Sequence, residues 1–325
     1  MDVGRNDDLP SPAVSRRSTL FGLTALAAAS SAASKGRAQR GGTPAGKLCD
    51  FRQVDVFSPE AFRGNPLAVV IGADGLDEAQ MVLISRWTNL SETTFLLQPT
   101  EPSADYRVRI FSLGTERPFA GHPTLGSCHV WLASGGKPKN AEIVQECGAG
   151  LVPLRGGRGR LAFDAPPLRR SDPIEPELLG RLRLGLGLSE GEILASRLLD
   201  NGRQRPAIMI RSRERLLALK PDWKTLATDG VGVIAPWSGR HEAGQPDFEV
   251  RVFDSALSNG EDPVTGSFNA SAARWLIGAG MAPGHYLVSQ GTALGRAGRI
   301  YVDRDGDRVW IGGDITDRIV GQMAV

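Results

Sequence analysis

The sequence predicts an α+β protein of two pseudo-symmetric domains, each a β-barrel-like sheet around a central helix. Two observations carry this expectation. Strand-like runs are short and numerous along the chain. Two helix candidates each follow an alternating strand by a short turn, open on glycine, and have few charges around their circumference. A helix with no polar face is buried on all sides, and in a chain of short strands it is sheet that must cover it. Two ordinary buried helices within one α+β domain remain the alternative. The 325 residues are enough for either one large domain or two of ordinary size.

Residues 1–39 differ from the rest. Ser15-Arg16-Arg17 precedes an uncharged run, Ser18 to Ser34, rich in Ala, Leu and Ser. That is the layout of an export signal, and the paired arginines point to the twin-arginine route, which implies a periplasmic or exported protein. An unstructured extension on a cytoplasmic protein is the alternative. Ser34 and Ala38 are the candidate cleavage points. Seventeen weakly apolar residues are too few for a membrane span, which needs about 20.

From about Cys49 the composition is that of a folded domain, with a first domain expected over 48–168, with completion by the C-terminal residues as an option, and a second over 169–325. Gln53–Phe57, Leu67–Ile71, Thr94–Leu97 and Tyr106–Phe111 read as strands, the last with clear period-two alternation. Leu76 to Leu90 has helical spacing, with Met81, Ile84, Trp87 and Leu90 assigned to one face. The first buried-helix unit is Phe119-Ala120-Gly121-His122-Pro123-Thr124-Leu125-Gly126-Ser127, leading into Cys128–Ala133. The second is Glu261-Asp262-Pro263-Val264-Thr265-Gly266-Ser267, after the alternating run Phe248–Phe253 and before the apolar Phe268–Ile277. Arg299–Asp303 and Arg308–Ile311 flank Asp305-Gly306, a hairpin turn pair. Asp303, Asp305, Asp307 and Asp314 do not make a calcium loop, because the glycine is at the wrong position.

Charge and cysteine content exclude several functions. The net charge of +2 lacks the excess expected of a nucleic-acid binder. Residues 1–39 carry five of the 38 basic and three of the 36 acidic side chains, so a chain cleaved after Gln39 keeps 33 of each. Any attraction for an acidic ligand must then be local. Cys49, Cys128 and Cys147 are too scattered for a disulfide framework and read as packing thiols. His122, Cys128 and His129 have poor spacing for a metal, so no metal is expected.

The chemistry-bearing candidates lie at turns. Helix N-termini present unpaired N–H groups and partial positive charge, so two glycine-led helix starts facing one another would hold a carboxylate. Glu92, in Asn89-Leu90-Ser91-Glu92-Thr93-Thr94-Phe95, lies between a helix end and a buried strand. An apolar pocket there would raise its pKa and suit it to proton transfer; a solvated loop residue or a hydrogen-bonded cap fits the spacing as well. His122 and Asp262 begin the two turns, where a structural histidine and an N-cap are the simpler readings.

Taken together, these segments resemble the PhzF family of phenazine-biosynthesis isomerases. The carriers are Val54-Asp55-Val56-Phe57 with Phe62-Arg63-Gly64-Asn65-Pro66-Leu67-Ala68-Val69, then Asn89–Phe95, Phe119–Thr124 and Gly260–Ser267. The resemblance implies a diaminopimelate epimerase-like fold with the active site between its two halves, no metal, no organic cofactor, and a homodimer. It implies Glu92 as catalytic acid/base, with His122 and Asp262 holding substrate and assisting the proton. Gly121, Gly266 and Ser267 match donors to the substrate carboxylate, and Asn65 matches a substrate-site Gly-Asn-Pro motif. The implied function is cofactor-independent proton movement on a small carboxylated molecule. A non-catalytic carboxylate binder and an epimerase or racemase are the alternatives. The two-thiol racemase route is disfavoured because neither turn carries a cysteine.

Overall fold

Period-two alternation does in space what it does on paper. Along Tyr106–Ser112, Tyr106, Val108 and Ile110 are buried while Arg107 and Arg109 lean outward. The computed structural model describes residues 47–157, 160–237 and 244–325. The expected leader, residues 1–39, lies outside them. Residues Ala45–Val325 form one compact unit.

The first half runs β1 (Leu48–Val56), β2 (Asn65–Ile71), α1 (Glu78–Thr88), β3 (Thr93–Leu97), β4 (Tyr106–Ser112), β5 (Thr115–Arg117), α2 (Gly121–Ala133), β6 (Ile143–Cys147), β7 (Gly150–Gly157) and β8 (Arg160–Asp164). A connection follows, with β9 (Arg170–Asp172) and α3 (Pro176–Gly185). The second half runs β10 (Ile193–Asp200), β11 (Gln204–Ile210), α4 (Arg213–Leu217), α5 (Trp223–Leu226), β12 (Gly230–Pro236), β13 (Phe248–Asp254), β14 (Glu261–Asp262), α6 (Gly266–Gly278), β15 (His285–Gln290), β16 (Gly298–Asp305), β17 (Arg308–Gly313) and β18 (Ile315–Ala324).

The two halves repeat one pairing scheme. β1–β2 is antiparallel, β2–β3 parallel, β3–β4 antiparallel, β4–β6 parallel, and β6–β7–β8 antiparallel. β10–β11, β11–β12, β12–β13, β13–β15 and β15–β16–β17 follow in the same senses. Each half wraps its sheet round one 13-residue helix, α2 or α6. Leu125, Cys128 and Val130 of α2 share a continuous apolar core with Phe268, Ala270 and Ala273 of α6. The architecture is the pair of sheet-wrapped helices that the two charge-poor segments predicted, and it is the diaminopimelate epimerase-like α+β fold that the resemblance implied.

The halves are joined by more than contact. β8 pairs with β17 along Trp310↔Asp164 to Gly313↔Leu161, making one 18-stranded sheet. Each half also receives an outer strand from the chain that has just left the other. β9 pairs with β10, and β18 pairs with β1 from Leu48↔Ala324 to Val56↔Ile315.

The repeat extends to side chains. Both turns read Glu-x-Pro-x-x-Gly: Glu116-Arg117-Pro118-Phe119-Ala120-Gly121 and Glu261-Asp262-Pro263-Val264-Thr265-Gly266. In each, an arginine one strand away grips the glutamate with two bonds. Arg109 donates to Glu116 at 2.7 and 2.6 Å, and Arg251 donates to Glu261 at 3.0 and 2.6 Å. A strand glutamine then pins each helix start. Gln145 donates to Thr124 Oγ1, and Gln290 accepts from Thr265 N–H and Asn269 Nδ2.

One helix face differs from its expectation. α1 is capped by a reciprocal Asp77–Gln80 box and buries Met81 and Ser85, whereas Trp87 is 79% exposed. Steps of three residues fall short of a full turn by about 60° each, so a Met81, Ile84, Trp87, Leu90 series winds off the buried face. The Asp305-Gly306 hairpin forms as expected, with Asp305 opposite Arg308. Asp303 is engaged by Arg155 and His285.

Candidate active site

The two helix starts meet. A Cβ added to Gly121 would lie 2.6 Å from the Gly266 carbonyl carbon and 2.7 Å from Ser267 N. A Cβ on Gly266 would lie 3.0 Å from Gly121 Cα and His122 N. No side chain is small enough to replace either glycine without separating the helices. Neither helix has a side-chain N-cap bond, so the first-turn N–H groups of both are left for a ligand.

A cavity of about 140 Å³ opens at this junction. Glu92, His122, Asp262, Gly121, Gly266 and Ser267 all line it. Asn65 does not. It is fully buried behind the wall and organises the residues in front of it. Its amide nitrogen donates to Asp262 Oδ1 and to the Val264 carbonyl, both at 2.8 Å, and lies 3.3 Å from His122 Nδ1. Its oxygen accepts from Ser91 Oγ at 3.3 Å. Reversing the amide would press its oxygen against the Val264 carbonyl, so the orientation is fixed. The Asp55 carboxylate accepts from Gly64 N–H at 3.1 Å and sets the turn that delivers Asn65.

The histidine's protons follow from this. With an NH₂ group facing Nδ1, the compatible tautomer has its lone pair there and its hydrogen on Nε2. Burial holds the His122 pKa down to about 3, so the ring is neutral. Nε2 stands 3.6 Å from Glu92 Oε2. Both atoms are buried and neither has a hydrogen-bond partner. Two orphaned polar atoms facing the same cavity are costly unless something polar comes between them.

Glu92 is placed by α1. Asn89 ends the helix with φ 54°, a left-handed cap, and the chain turns through Ser91 into β3. Thr94 of that strand is fully buried and accepts from Ser127 Oγ at 2.9 Å, tying β3 to α2. The Glu92 side chain retains 18% exposure toward the cleft. Burial, and then the nearby Asp262 charge, push its pKa up to about 8. Burial likewise pushes Asp262 up to about 6, against the opposing pull of Thr265 Oγ1, which donates at 2.7 Å, and of Arg205. A carboxyl near 8 beside a neutral imidazole can give or take a proton at neutral pH.

The sequence reading missed the arginines. Arg117, Arg169, Arg203 and Arg205 all line the cleft. Arg203 and Arg205 share one oxygen of Asp254, at 2.9 and 2.8 Å. The shared Glu-x-Pro-x-x-Gly frame was a readable signal, since it aligns Arg117 with Asp262 at the same step before the helix. Cys128, inside α2, is fully buried and pushed up to about 12 by burial, as a packing thiol should be. Among the described residues no cluster of His, Cys, Asp and Glu is arranged to hold a metal ion, and no helix is long and apolar enough to cross a membrane.

Residues 54–316 match the family model for phenazine biosynthesis-like proteins, PhzC–PhzF. The chain is 36% identical to antisense-enhancing sequence 1 of Schizosaccharomyces pombe, covering 85% of this chain and 98% of that one. It is 31% identical to the trans-2,3-dihydro-3-hydroxyanthranilate isomerase of Pseudomonas aeruginosa, covering 78% and 89%. Among solved structures, a PhzF-family protein of Enterococcus faecalis superposes with a TM-score of 0.70 at 26% identity, over 86% of this chain and all of that one. A probable proline racemase of Agrobacterium radiobacter shares the fold alone, at 13% identity and a TM-score of 0.54. The repeated half-barrels, the apposed glycine helix starts and the matched length converge on one assignment: the chain belongs to the PhzC–PhzF family of phenazine biosynthesis-like proteins, a family of isomerases.

Proposed function

We propose that this isomerase moves a proton between two carbons of a small carboxylated substrate, with Glu92 as its single acid/base. The observation that carries the reading is the unpartnered pair of Glu92 Oε2 and His122 Nε2, 3.6 Å apart, beside two helix starts that face each other. The substrate carboxylate accepts from the N–H groups of Gly121, His122, Gly266 and Ser267. Glu92 as carboxylate takes a proton from a substrate carbon, and the C–H electron pair shifts into a new double bond. The same carboxyl then protonates a second carbon as the original double bond opens. Atoms and charge balance without an oxidant. The neutral His122 Nε2–H and the Asp262 carboxyl hold substrate polar groups beside the transferring proton.

Internal symmetry supports one base rather than two. Thr93 pairs with Phe111 as Val231 pairs with Phe253, so Gly230 is the counterpart of Glu92. A Cβ there would meet Arg205 Nη1 and the Phe253 carbonyl, both at 2.5 Å. A guanidinium thus occupies the position symmetric with Glu92, so the second half carries no matching carboxylate there.

The test replaces Glu92 with Gln and follows deuterium uptake from heavy water into trans-2,3-dihydro-3-hydroxyanthranilate and related small carboxylates. Wild type is expected to incorporate deuterium, and E92Q to lose the rate by about 10²-fold or more. Unchanged uptake in E92Q removes Glu92 from the role. Binding without any uptake in wild type leaves a carboxylate-binding protein. A homodimer and export through the Arg16-Arg17 leader belong to the same proposal. Light scattering that finds a monomer, or fractionation that finds only cytoplasmic protein still carrying Met1, would remove each in turn.

A further inference from the structure

The catalytic cleft continues into a second cavity. A pocket of about 520 Å³ lies alongside and shares Arg117, Arg203, Arg205, Asp254 and Ala256 with it. Leu178, Leu198 and Pro206 form apolar wall in this annex. Its threshold is cationic. Arg203 and Arg205 share the Oδ2 atom of Asp254, so two guanidinium groups face one carboxylate. Arg205 is otherwise occupied by the Phe253 carbonyl at 3.0 Å. Arg117 is half-buried, and its guanidinium has no direct ion pair or side-chain hydrogen bond among the described residues; the acid that feels its charge is Glu92, whose pKa Arg117 and Arg203 pull down against the larger effect of burial. Glu116, next to Arg117, is already taken by Arg109 through two bonds. At the equivalent step of the other half stands Asp262, which is bonded to Asn65 and Thr265. The remaining acid at the annex is Asp229, which is exposed. Arg169 lies at the cleft mouth, its Nη2 4.0 Å from a Cβ built on Gly202.

A half-buried guanidinium with no direct ion pair of its own is left with unmet donors, and guanidinium forks match carboxylate and phosphate oxygens. We propose that the substrate carries a second anionic group, a carboxylate or a phosphate, bound by Arg117 and Arg203 where the cleft opens into the annex. Its first carboxylate sits at the helix starts and an apolar spacer lies between the two. This rests on the isomerase reading for the place of the first carboxylate, and it assigns Arg117 and Arg203 to substrate selection rather than to proton transfer.

Calorimetric titration of the whole protein tests it, using benzoate as the single-anion probe. Terephthalate, 4-carboxycinnamate and 4-phosphonobenzoate are the two-anion probes. At least one two-anion probe is expected to bind about tenfold or more tightly than benzoate. That preference should fall by about tenfold in R117Q, in R203Q, or in both, and should weaken with salt. Tighter binding of the carboxylates or of the phosphonate identifies the second group. If no two-anion probe outbinds benzoate, or if the preference persists in both variants with their melting temperatures intact, the proposal is overturned. The readout is binding alone. A protein that prefers two anions but exchanges no deuterium refutes the isomerase reading and leaves this one, and the converse holds equally.

Discussion

At the scale of the residue, the site is a set of ionisations moved by burial. Glu92 is pushed up to about 8 from its usual 4.5, first by burial and then by Asp262. The folded protein therefore keeps a proton that the unfolded chain releases, and stability falls as pH rises from 4.5 to about 8. Asp262 adds the same sign between 3.8 and about 6. His122, held down to about 3 by burial, acts oppositely, costing stability as pH falls from 6.5 toward 3. Comparison with E92Q isolates the first effect. E92Q is expected to melt above wild type at about pH 8.5, and the difference should shrink at about pH 5. Equal melting at the higher pH would mean that Glu92 is not desolvated in the folded state. On the proposed role of Glu92 as base, deuterium uptake should quicken as pH rises toward 8, because the carboxylate is the form that takes the proton. The motifs made Glu92, His122, Asp262 and the glycines visible in the sequence. The role of Asn65 behind the wall was not visible, because a buried amide that aims two other side chains reads in sequence like one that touches a ligand.

At the scale of the element, the same turn is built twice at different depths, and the energetics differ accordingly. Arg251 and Glu261 are 8% and 4% exposed, and Arg251 also donates to the carbonyls of Leu216, Leu217 and Leu219 at the end of α4. Arg109 and Glu116 are 20% and 41% exposed. Removing one partner of a buried pair leaves an uncompensated charge and costs about 3–5 kcal/mol, whereas an exposed pair contributes about 0–1. Denaturant titration should show R251M far less stable than R109M; equal losses would contradict the difference in burial. The meeting of α2 and α6 is equally specific. G121A places a methyl against the Gly266 backbone, so a loss of about 1–3 kcal/mol is expected, together with weaker carboxylate binding, because the N–H groups no longer converge. A variant that melts normally and binds normally would show that the helix starts have room to spare. The two helices were legible because an uncharged helix has no surface solution. The smallest elements were not: β9, α4 and α5 are three, five and four residues long, too short to show a period. Tertiary pairing rather than a periodic pattern holds them, and Trp87 was misassigned for want of angular drift in a three-residue rule.

At the scale of the whole molecule, the structure is a duplicated unit whose two copies have diverged at matched positions. Asp262 answers to Arg117, Ser267 to His122 and Gly230 to Glu92, so an approximately symmetric shell encloses an asymmetric reaction site. The sequence carried this duplication in the Glu-x-Pro-x-x-Gly turns, and completion of the first half by C-terminal residues was one expected option, which the β1–β18 pairing matches; strand order and the crossing of β9 could not be read, since β9 is three residues long and has no pattern of its own. Deleting 314–325 tests what the crossing does. The truncated chain is expected to lose cooperative unfolding, because β1 would be left with an open hydrogen-bonding edge on the first half. A truncation that melts as sharply as the full chain would show β18 to be dispensable. The crossing also sets a timetable. Synthesis runs from β1 to β18, so the strand that covers the edge of β1 is made after every other element described. The N-terminal half therefore waits, unfinished, for the far end of the fold, and a chaperone that meets the growing chain meets it with the edge of β1 still unpaired.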